Sequence, residues 1–407
     1  MLRLLLLFFK WLVRLIIYFI VAVLLVVIIE YLVCPIYIFP DPEPFHGEYI
    51  FNPYQDIDST KWRKSNFQVQ SRVWIGITDG RKNSNEVIDS IYSFLLYDVI
   101  TISDYQKINK YGNKNDTYIP VYEHGYGIFK NHQVLIGAKK VLWTDYPLFQ
   151  NIHHKQHILN LLGKTSDLIY IAHPKLRGAY SVNDMKYLSN YTGVEVLNYM
   201  RLSAEHWDAA LSAGKCVTIL GNDDAHDVFN PDEVGYRCTF INSFSLNGDS
   251  VINALRKGRA YGADIYRPVG EPFQKKLKKA KKIAKVKQVN MSGDTLCVEV
   301  DQKAGIFRFI GQDGKVKHVV ENTKYACYKI SPGDTYIRTE IEFPNKTVFY
   351  LNPVIRYDGK DPWKIAEPEV DVLRTWLLRI IGFATLIFII LNICFIRQRI
   401  IKRRTVR

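Results

Sequence analysis

The chain has 407 residues, 48% of them apolar, which is enough for two or three domains with a large core. Its formal net charge is +14, but the positive excess is concentrated at both termini and between Lys275 and Lys287. The remainder of the chain is close to neutral, which argues against a nucleic-acid-binding protein, because no basic face extends over the main part.

Two segments of the chain are apolar enough to cross a lipid bilayer. Leu15 to Val33 contains one charged residue, Glu30, and Ile380 to Ile396 contains none; about 20 apolar residues span the hydrocarbon core. Basic residues precede the first segment and follow the second. The positive-inside rule therefore predicts cytoplasmic termini and a main domain on the outer, periplasmic or extracellular, side. A cleaved signal peptide is the alternative for the first segment, but no small-residue cleavage site follows Val33.

Shifts in composition divide the chain into seven parts. The bilayer is the expected partner of the two apolar segments, a second envelope protein is a further candidate partner, and no nucleic acid is expected. The predicted parts are an N-terminal transmembrane anchor (1–34), a Pro-rich strap (35–61), an α/β domain (62–270), a Lys-rich linker (271–287), a small β domain (288–360), a C-terminal transmembrane helix (373–397) and a basic cytoplasmic tail (398–407).

Short β-branched runs alternate with helical patterns in the α/β part. This alternation favours a parallel sheet or barrel, which carries its functional residues at the carboxyl ends of its strands. Asp104, His173, and Asp224 with His226 follow three of these runs. Strands are predicted at Val73–Ile75, Val99–Ile102, Asp167–Ala172, Val194–Leu197 and Cys216–Leu220, and a helix at Asn85–Leu96.

The cysteines and the lysine run each allow two interpretations. Cys216 with Cys238 and Cys297 with Cys327 can form disulfides in an oxidising compartment, or all four can be buried thiols. The lysines of 275–287 alternate with apolar residues, as in an amphipathic helix or basic strand that contacts anionic headgroups. The alternative is a solvated linker.

Carboxylates and imidazoles are concentrated in the α/β part, and these are the groups that hold divalent ions in metal-dependent phosphoester hydrolysis. All but two of the ten histidines lie between His124 and His226. The ordered series of motifs resembles that of the PHP (polymerase and histidinol phosphatase) domain superfamily over about residues 62 to 265. The matching positions are Gln68-x-Gln70, Asp79-Gly80, Asp104-Tyr105, Glu123, His173-Pro174 and Asp224-x-His226.

The resemblance implies an α/β fold of the PHP type, a distorted (β/α)7-like barrel, here flanked by two transmembrane helices and a small C-terminal all-β domain. It also implies metal ligands. One ion would be held by Glu123, His173 and a histidine between them, His132, with His124 and His153 as alternatives. Asp224 would serve a second ion, and Asp79 with His226 a third.

Three positions depart from the pattern of the family. Gln68 and Gln70 stand where the family has a His-x-His pair, and Tyr105 stands where it has a histidine. A glutamine amide is a weak ligand for Zn²⁺ or Mn²⁺, and a phenol with a pKa near 10 is a poor one. The sequence therefore predicts fewer than three ions, or none. It favours a weakly active or non-catalytic scaffold or binding subunit in the cell envelope. The alternative is a phosphoesterase acting on phosphate mono- or diesters with a reduced metal site.

Overall fold

A computed structural model describes residues 2–78 and 80–405 of the chain. In these ranges the α-helices are α1 (Leu2–Val33), α2 (Asn85–Phe94), α3 (Ile152–Leu162), α4 (Val182–Tyr187), α5 (Ala204–Ser212), α6 (Gly248–Arg256), α7 (Phe273–Ala280) and α8 (Val372–Thr405). Short 3-10 turns occupy Trp74–Gly76, Leu176–Gly178 and Gln312–Gly314.

The strands follow in chain order between and after these helices. They are β1 (Tyr37–Ile38), β2 (Tyr49–Phe51), β3 (Trp62–Asn66), β4 (Val99–Ile100), β5 (Val121–His124), β6 (Gln133–Ile136), β7 (Leu168–Ile171), β8 (Gly193–Asn198), β9 (Arg201–Leu202), β10 (Thr218–Asn222), β11 (Arg237–Asn242), β12 (Ala260–Asp264), β13 (Val286–Ser292), β14 (Thr295–Gly311), β15 (Lys315–Lys329), β16 (Tyr336–Glu342), β17 (Val348–Leu351), β18 (Val354–Tyr357) and β19 (Glu369–Val370).

The two terminal helices are long and apolar enough to cross a membrane, by length and composition, over Leu4–Val33 and Val372–Arg399. They lie side by side, since a Cβ added to Gly382 of α8 would meet the Leu32 side chain of α1. Just beyond α1, β1 pairs antiparallel with β19, which directly precedes α8. Both helices therefore leave the rest of the protein at the same place. The predicted tail, 398–407, continues α8 in its described part, and residues 406 and 407 lie outside the described residues.

The smaller sheet has the strand order β10-β8-β7-β6-β5, with β9 attached to β8. The β10, β8 and β7 strands are parallel, whereas β6 runs antiparallel to both β7 and β5. Its strands other than β9 are buried on both faces, and α5 packs against the sheet through Trp207, which is fully buried and donates from Nε1 to the Val217 carbonyl oxygen. This sheet supplies the side chains at the centre of the candidate site.

The larger sheet has the order β13-β14-β16-β17-β12-β11-β3-β4. The β12 and β17 strands pair antiparallel, with Tyr261 opposite Leu351, so one sheet continues across the predicted linker and joins the α/β part to the later strands. Cys297 and Cys327 lie opposite each other on β14 and β15 and form a disulfide, while Cys216 and Cys238 are buried thiols.

The two sheets are connected at two isolated parallel bridges, Val69 to Ala225 and Tyr105 to Glu123. In the part of the chain that the structure describes, strand pairing does not close into a continuous barrel, so the predicted (β/α)7-like barrel is not formed. The β3 and β4 strands end before they reach β10 and β5, and loop backbone with single bridges takes their place.

One local prediction differs from the structure. Val73–Ile75 is not a strand, because Trp74 and Ile75 have φ of 50° and 58° and form a 3-10 turn instead. The lysine run, predicted as an amphipathic helix, a basic strand or a solvated linker, is helical over α7 and enters β13 at Val286. The predicted helix after Ser84 is formed: α2 begins there, with the Ser84 side chain accepting from the Val87 N–H.

Candidate metal centre

Three neighbouring strands bring Glu123, His132 and His173 to one edge of the smaller sheet. Glu123 lies on β5, His132 directly precedes β6, and His173 follows the end of β7 by two residues. The antiparallel turn from β5 to β6 places these positions side by side, and the Ala172 N–H donates to the His132 carbonyl oxygen at 3.1 Å. The three side chains are thus positioned by continuous strand pairing.

The three side chains meet in the protein interior. His132 Nδ1 lies 2.5 Å from Glu123 Oε1, and His173 Nε2 lies 3.4 Å from the same oxygen. All three residues are buried, with at most 1% of their surface exposed. One ligand atom from each lies within 4.8 Å of the other two, so the group can hold a metal ion.

Charge pairing inside this group shifts the pKa values of its members. Burial opposes ionisation of Glu123, but the adjacent His132 and His173 imidazoles outweigh it and hold the pKa of Glu123 below its usual range. Burial lowers the pKa of His132. Burial also acts to lower the pKa of His173, yet its hydrogen bond with Glu123 and the nearby Asp224 carboxylate raise it to about 9.

One carboxylate and two imidazoles form a donor set that suits Zn²⁺ or Mn²⁺, and three protein ligands are usual at catalytic zinc sites with an open position. Ligand atoms about 2.1 Å from a tetrahedral ion lie about 3.4 Å apart. The Glu123 to His173 separation of 3.4 Å matches this spacing, and the Glu123 to His132 separation of 2.5 Å needs to widen by about 1 Å. The chemistry and spacing of this donor set therefore fit one ion, and the opposite ring nitrogens, His132 Nε2 and His173 Nδ1, have no hydrogen-bond partner among the described residues.

The alternative histidines have partners elsewhere. Both ring nitrogens of His124 are engaged, Nδ1 at 2.7 Å from Gln133 Oε1 and Nε2 at 3.0 Å from the Thr144 carbonyl oxygen. His153 Nδ1 accepts from the Tyr37 N–H at 3.1 Å. The geometry therefore brings His132, and neither His124 nor His153, to Glu123.

The two glutamines that replace the His-x-His pair behave differently from each other. Gln70 donates from Nε2 to Glu123 Oε2 at 2.6 Å, so the second oxygen of the carboxylate is already engaged. Gln68 is fully buried, and among the described residues neither its Oε1 nor its Nε2 has a hydrogen-bond partner. Gln70 is therefore hydrogen-bonded to the triad. The Gln68 amide is exceptional, because most buried polar groups have a hydrogen-bond partner.

The remaining predicted ligands form a separate pair beside the triad. His226 Nδ1 lies 2.9 Å from the Asp224 carbonyl oxygen and so carries the proton, which leaves Nε2 to accept from the Tyr105 hydroxyl at 3.2 Å. Asp224 Oδ1 is buried and has no hydrogen-bond partner in the described part of the chain, and burial raises the pKa of Asp224 to about 6. Asp79, predicted as a ligand with His226, lies outside the described residues.

Buried polar residues that the motif series did not include support His173 and Asp224. Glu195 on β8 accepts from the His173 N–H at 3.0 Å, and Asn198 donates from Nδ2 to both Glu195 and Asp224 at 3.0 Å. Burial raises the pKa of Glu195 to about 8. An acidic residue inside the apolar run Val194–Leu197 was the signal that could have identified Glu195.

Backbone strain coincides with the site. His173 has φ of 29° and Asp224 has φ of 50°, a left-handed conformation that costs a non-glycine residue roughly 1–3 kcal/mol. The Glu195 bond to the His173 N–H and the Asn198 bond to Asp224 hold these two residues in place. Strain of this kind is typical of sites that orient functional side chains.

An aromatic cleft of about 470 Å³ lies next to Tyr105. Its walls include Trp74, Tyr126 and Trp143, and one cation, Lys130, lines it. Trp74 donates from Nε1 to the Tyr105 carbonyl oxygen at 2.8 Å, and the Tyr105 ring packs edge-on against the His132 ring. Tyr105 therefore lies between the cleft and the triad, and no sequence motif indicated the cleft or Lys130.

No family model and no curated protein match the chain. A solved structure from Bacteroides vulgatus ATCC 8482, a two-domain protein containing a predicted PHP-like metal-dependent phosphoesterase, is similar at 13% sequence identity and a TM-score of 0.36. The match covers 76% of this chain and 99% of that chain. At this distance the similarity identifies no family for the chain.

Proposed function

We propose that this protein is a membrane-anchored, metal-dependent phosphoesterase whose site holds one divalent ion, Zn²⁺ or Mn²⁺, on Glu123, His132 and His173. The observation that carries the proposal is the fully buried triad, one carboxylate and two imidazoles whose ligand atoms lie within 4.8 Å of one another. Burying a carboxylate and two imidazoles is costly even when they pair with one another, and a bound divalent ion would offset that cost. The ordered motif series supports phosphate esters as the substrate class.

A bound ion would lower the pKa of a water and neutralise charge on a phosphoryl group. The chain's own residues contribute the rest. Asp224, whose pKa is raised to about 6 by burial, can take up and release a proton near pH 6. Lys130 in the adjacent cleft offers a positive charge to an entering phosphate. Glu195 accepts a hydrogen bond from the backbone N–H of His173 and so positions that residue.

A single ion is proposed because the second half of the site lacks ligands. The Gln70 amide already engages Glu123 Oε2, the oxygen that a bridging carboxylate would offer to a second ion. Tyr105 engages His226 Nε2 in the same way. Asp224, His226 and Asp79 are therefore proposed to act, if at all, as groups around a one-ion centre rather than as ligands of further ions.

A second candidate function is a binding or scaffold subunit of the envelope that takes a metal but does not hydrolyse esters. The observation that favours it is the replacement of three family imidazoles by Gln68, Gln70 and Tyr105, which removes the two-ion arrangement that clamps both the attacking and the leaving oxygen. Metal binding without turnover is its distinguishing property.

We infer that α1 and α8 cross one membrane, with both termini cytoplasmic and the main domain outside. The adjacent ends of the two helices and the β1–β19 pair support a hairpin arrangement. Basic residues at the far ends, such as Lys10, Arg14 and Arg397, support the orientation. The Cys297–Cys327 disulfide also supports an oxidising outer compartment. The proposed order of parts along the chain is anchor, strap, α/β part, linker, β part, second helix and tail.

The test is metal content and ester hydrolysis of the purified full-length chain in detergent. We expect one ion per chain and cleavage of p-nitrophenyl phosphate or bis-p-nitrophenyl phosphate, both lost in His173→Ala. His46→Ala, an exposed histidine on the strap, is the matched control and should change neither. Metal at one ion per chain without turnover would select the binding subunit, and a chain that takes up no metal would sink both functions.

A further inference from the structure

Three loops around the cleft expose apolar side chains to an unusual degree. They are residues 74–78, 125–130 and 142–150, and they are called the apolar rim below. Ile75 is 96% exposed, Ile77 is 85% exposed and Trp143 is 58% exposed. Contiguous exposed apolar surface of this kind marks an interaction site with a protein or a membrane.

The apolar rim is fixed to the outer end of the first membrane helix. The Tyr31 hydroxyl, within one turn of the end of α1, accepts from the Leu148 and Phe149 N–H groups at 2.9 and 3.0 Å. The Tyr31 ring also packs on the Phe149 ring with 5.0 Å between centroids. Loop 142–150 therefore lies at the level where the apolar span ends, which is the interfacial depth that aromatic side chains prefer.

Hydrogen bonds and a ring contact join the three loops into one surface. The Tyr126 and Gly127 N–H groups donate to Asp145 Oδ2 at 2.8 and 3.2 Å. The Trp74 ring packs edge-on against the Trp143 ring with 5.9 Å between centroids. The apolar rim is thus continuous from α1 to the turn that carries Ile75 and Ile77.

The same surface leads to the candidate metal centre. Trp74 is bonded to the Tyr105 carbonyl oxygen, and the Tyr105 hydroxyl reaches His226. Lys130, the last residue of rim loop 125–130, lines the cleft with its Nζ 5.6 Å from the Tyr105 ring centroid. Apolar walls with one cation suit a molecule that has an apolar tail and an anionic head.

We propose that the apolar rim lies in the interface of the bilayer that holds α1 and α8, and that the site acts on the phosphate headgroup of a lipid in that bilayer. This inference rests on the proposed phosphoesterase function and names its substrate class. Continuity of the rim with the membrane helix selects the bilayer as the occupant of the exposed surface, rather than a soluble protein. The lipid headgroup would then enter the cleft from the side that faces the membrane.

The placement of the rim is tested on the full chain in phosphatidylcholine vesicles. Ile75→Cys is spin-labelled in a Cys394→Ser background, because the other free cysteines are buried. Val316→Cys on β15 is the matched control, because Val316 is also exposed and lies outside the apolar rim. The turn that precedes β15 is fixed to the end of α5, where Gln312 and Asp313 bond to Ser212. We expect the Ile75 label to be accessible to oxygen and shielded from a water-soluble nickel complex. A label as accessible to nickel as that at Val316 would overturn the proposal.

The substrate class is tested with esters that share a headgroup. Phosphatidic acid and phosphatidylglycerol in phosphatidylcholine vesicles are compared with glycerol 3-phosphate and glycerophosphoglycerol in water by ³¹P NMR. We expect faster cleavage of the lipids, and Ile75→Ser should lower the ratio of lipid to soluble turnover about tenfold, because it removes a side chain that the interface buries. Val316→Ser should leave the ratio unchanged.

The outcomes separate this inference from the proposed function. A water-soluble ester cleaved as well as its lipid counterpart, with a ratio insensitive to Ile75→Ser, would overturn the lipid inference and keep the phosphoesterase. A chain that cleaves neither class would sink the phosphoesterase and with it the lipid substrate, while the label at Ile75 would still decide whether the rim lies in the bilayer.

Discussion

The two halves of the candidate site differ in how extensively their side chains bond to one another. In the triad half, Glu123 is bonded to His132, His173 and Gln70, and every ligand lies on or beside one of three continuously paired strands. In the other half, neither amide atom of Gln68 nor Oδ1 of Asp224 has a hydrogen-bond partner among the described residues. That half lies at the isolated bridge between Val69 and Ala225, one of two single bridges that connect the sheets.

This difference connects the strand pairing to the chemistry. Register across β5, β6 and β7 fixes the triad side chains within hydrogen-bond reach of one another. The Asp224 half depends on loop backbone at the junction of two sheets, and Gln68 and Gln70 stand where the resemblance predicts imidazoles. Under the proposed function, only the half built on continuous strands has the ligands to hold an ion.

The largest expected effect is on metal affinity, when the carboxylate of each half is replaced by an amide. Glu123→Gln keeps the shape of the side chain but removes the charge that both histidines contact. Metal affinity should fall by at least about 100-fold, since loss of an outer partner alone costs about 10- to 100-fold. Asp224→Asn should retain one ion per chain. Equilibrium dialysis with Zn²⁺ or Mn²⁺ measures both, and an equal loss in the two variants would show that the halves share one ion.

Restoring the missing imidazoles is expected to rebuild the second half. Gln68→His with Gln70→His supplies two ligands beside Asp224 and releases Glu123 Oε2 from the Gln70 amide. Metal content should rise from one to two ions, and phosphoester turnover by about tenfold or more, which corresponds to about 1.4 kcal/mol. The control is the double change to leucine, which fills similar space without a ligand. One ion in the histidine variant would contradict the idea that ligand identity alone limits this half.

Chelation should act on the triad half alone. An ion present at a hundred times its dissociation constant stabilises the folded state by about 2.7 kcal/mol. EDTA should therefore lower the melting temperature of the parent chain on the order of 5 °C. His173→Ala should melt at the same temperature with and without EDTA, and a chelator effect of equal size in that variant would place the ion elsewhere.

The sequence predicted a good part of this arrangement, because ligand chemistry repeats in a fixed order along the chain. The motif series pointed to Glu123, His132 and His173, and these side chains do converge; that they hold a metal stays a prediction. Two apolar terminal helices were predicted from composition and are present. Local rules of this kind need no knowledge of which distant segments meet.

What the sequence could not provide depends on long-range contacts or on unusual backbone. The Gln70 to Glu123 bond joins residues far apart in the chain, and no pattern distinguishes it from the unpartnered Gln68. The β-branched run at Val73–Ile75 has strand propensity, yet positive φ at Trp74 and Ile75 makes it a turn. The predicted barrel also failed for a long-range reason, since β3 and β4 end before continuous pairing can close the ring.

The smallest expected effect compares the two glutamines directly, in EDTA so that no ion intervenes. Gln70→Leu removes the donor to Glu123 Oε2 and leaves a buried carboxylate oxygen unpaired, so unfolding free energy should fall by about 1–3 kcal/mol. Gln68→Leu removes an amide that has no partner to lose, so it should leave stability unchanged or raise it by a similar amount. Urea titration followed by circular dichroism measures both. Destabilisation by Gln68→Leu equal to that by Gln70→Leu would mean that the Gln68 amide has a bound partner, such as an ordered water, and the contrast between the two halves would then be one of ligand identity alone.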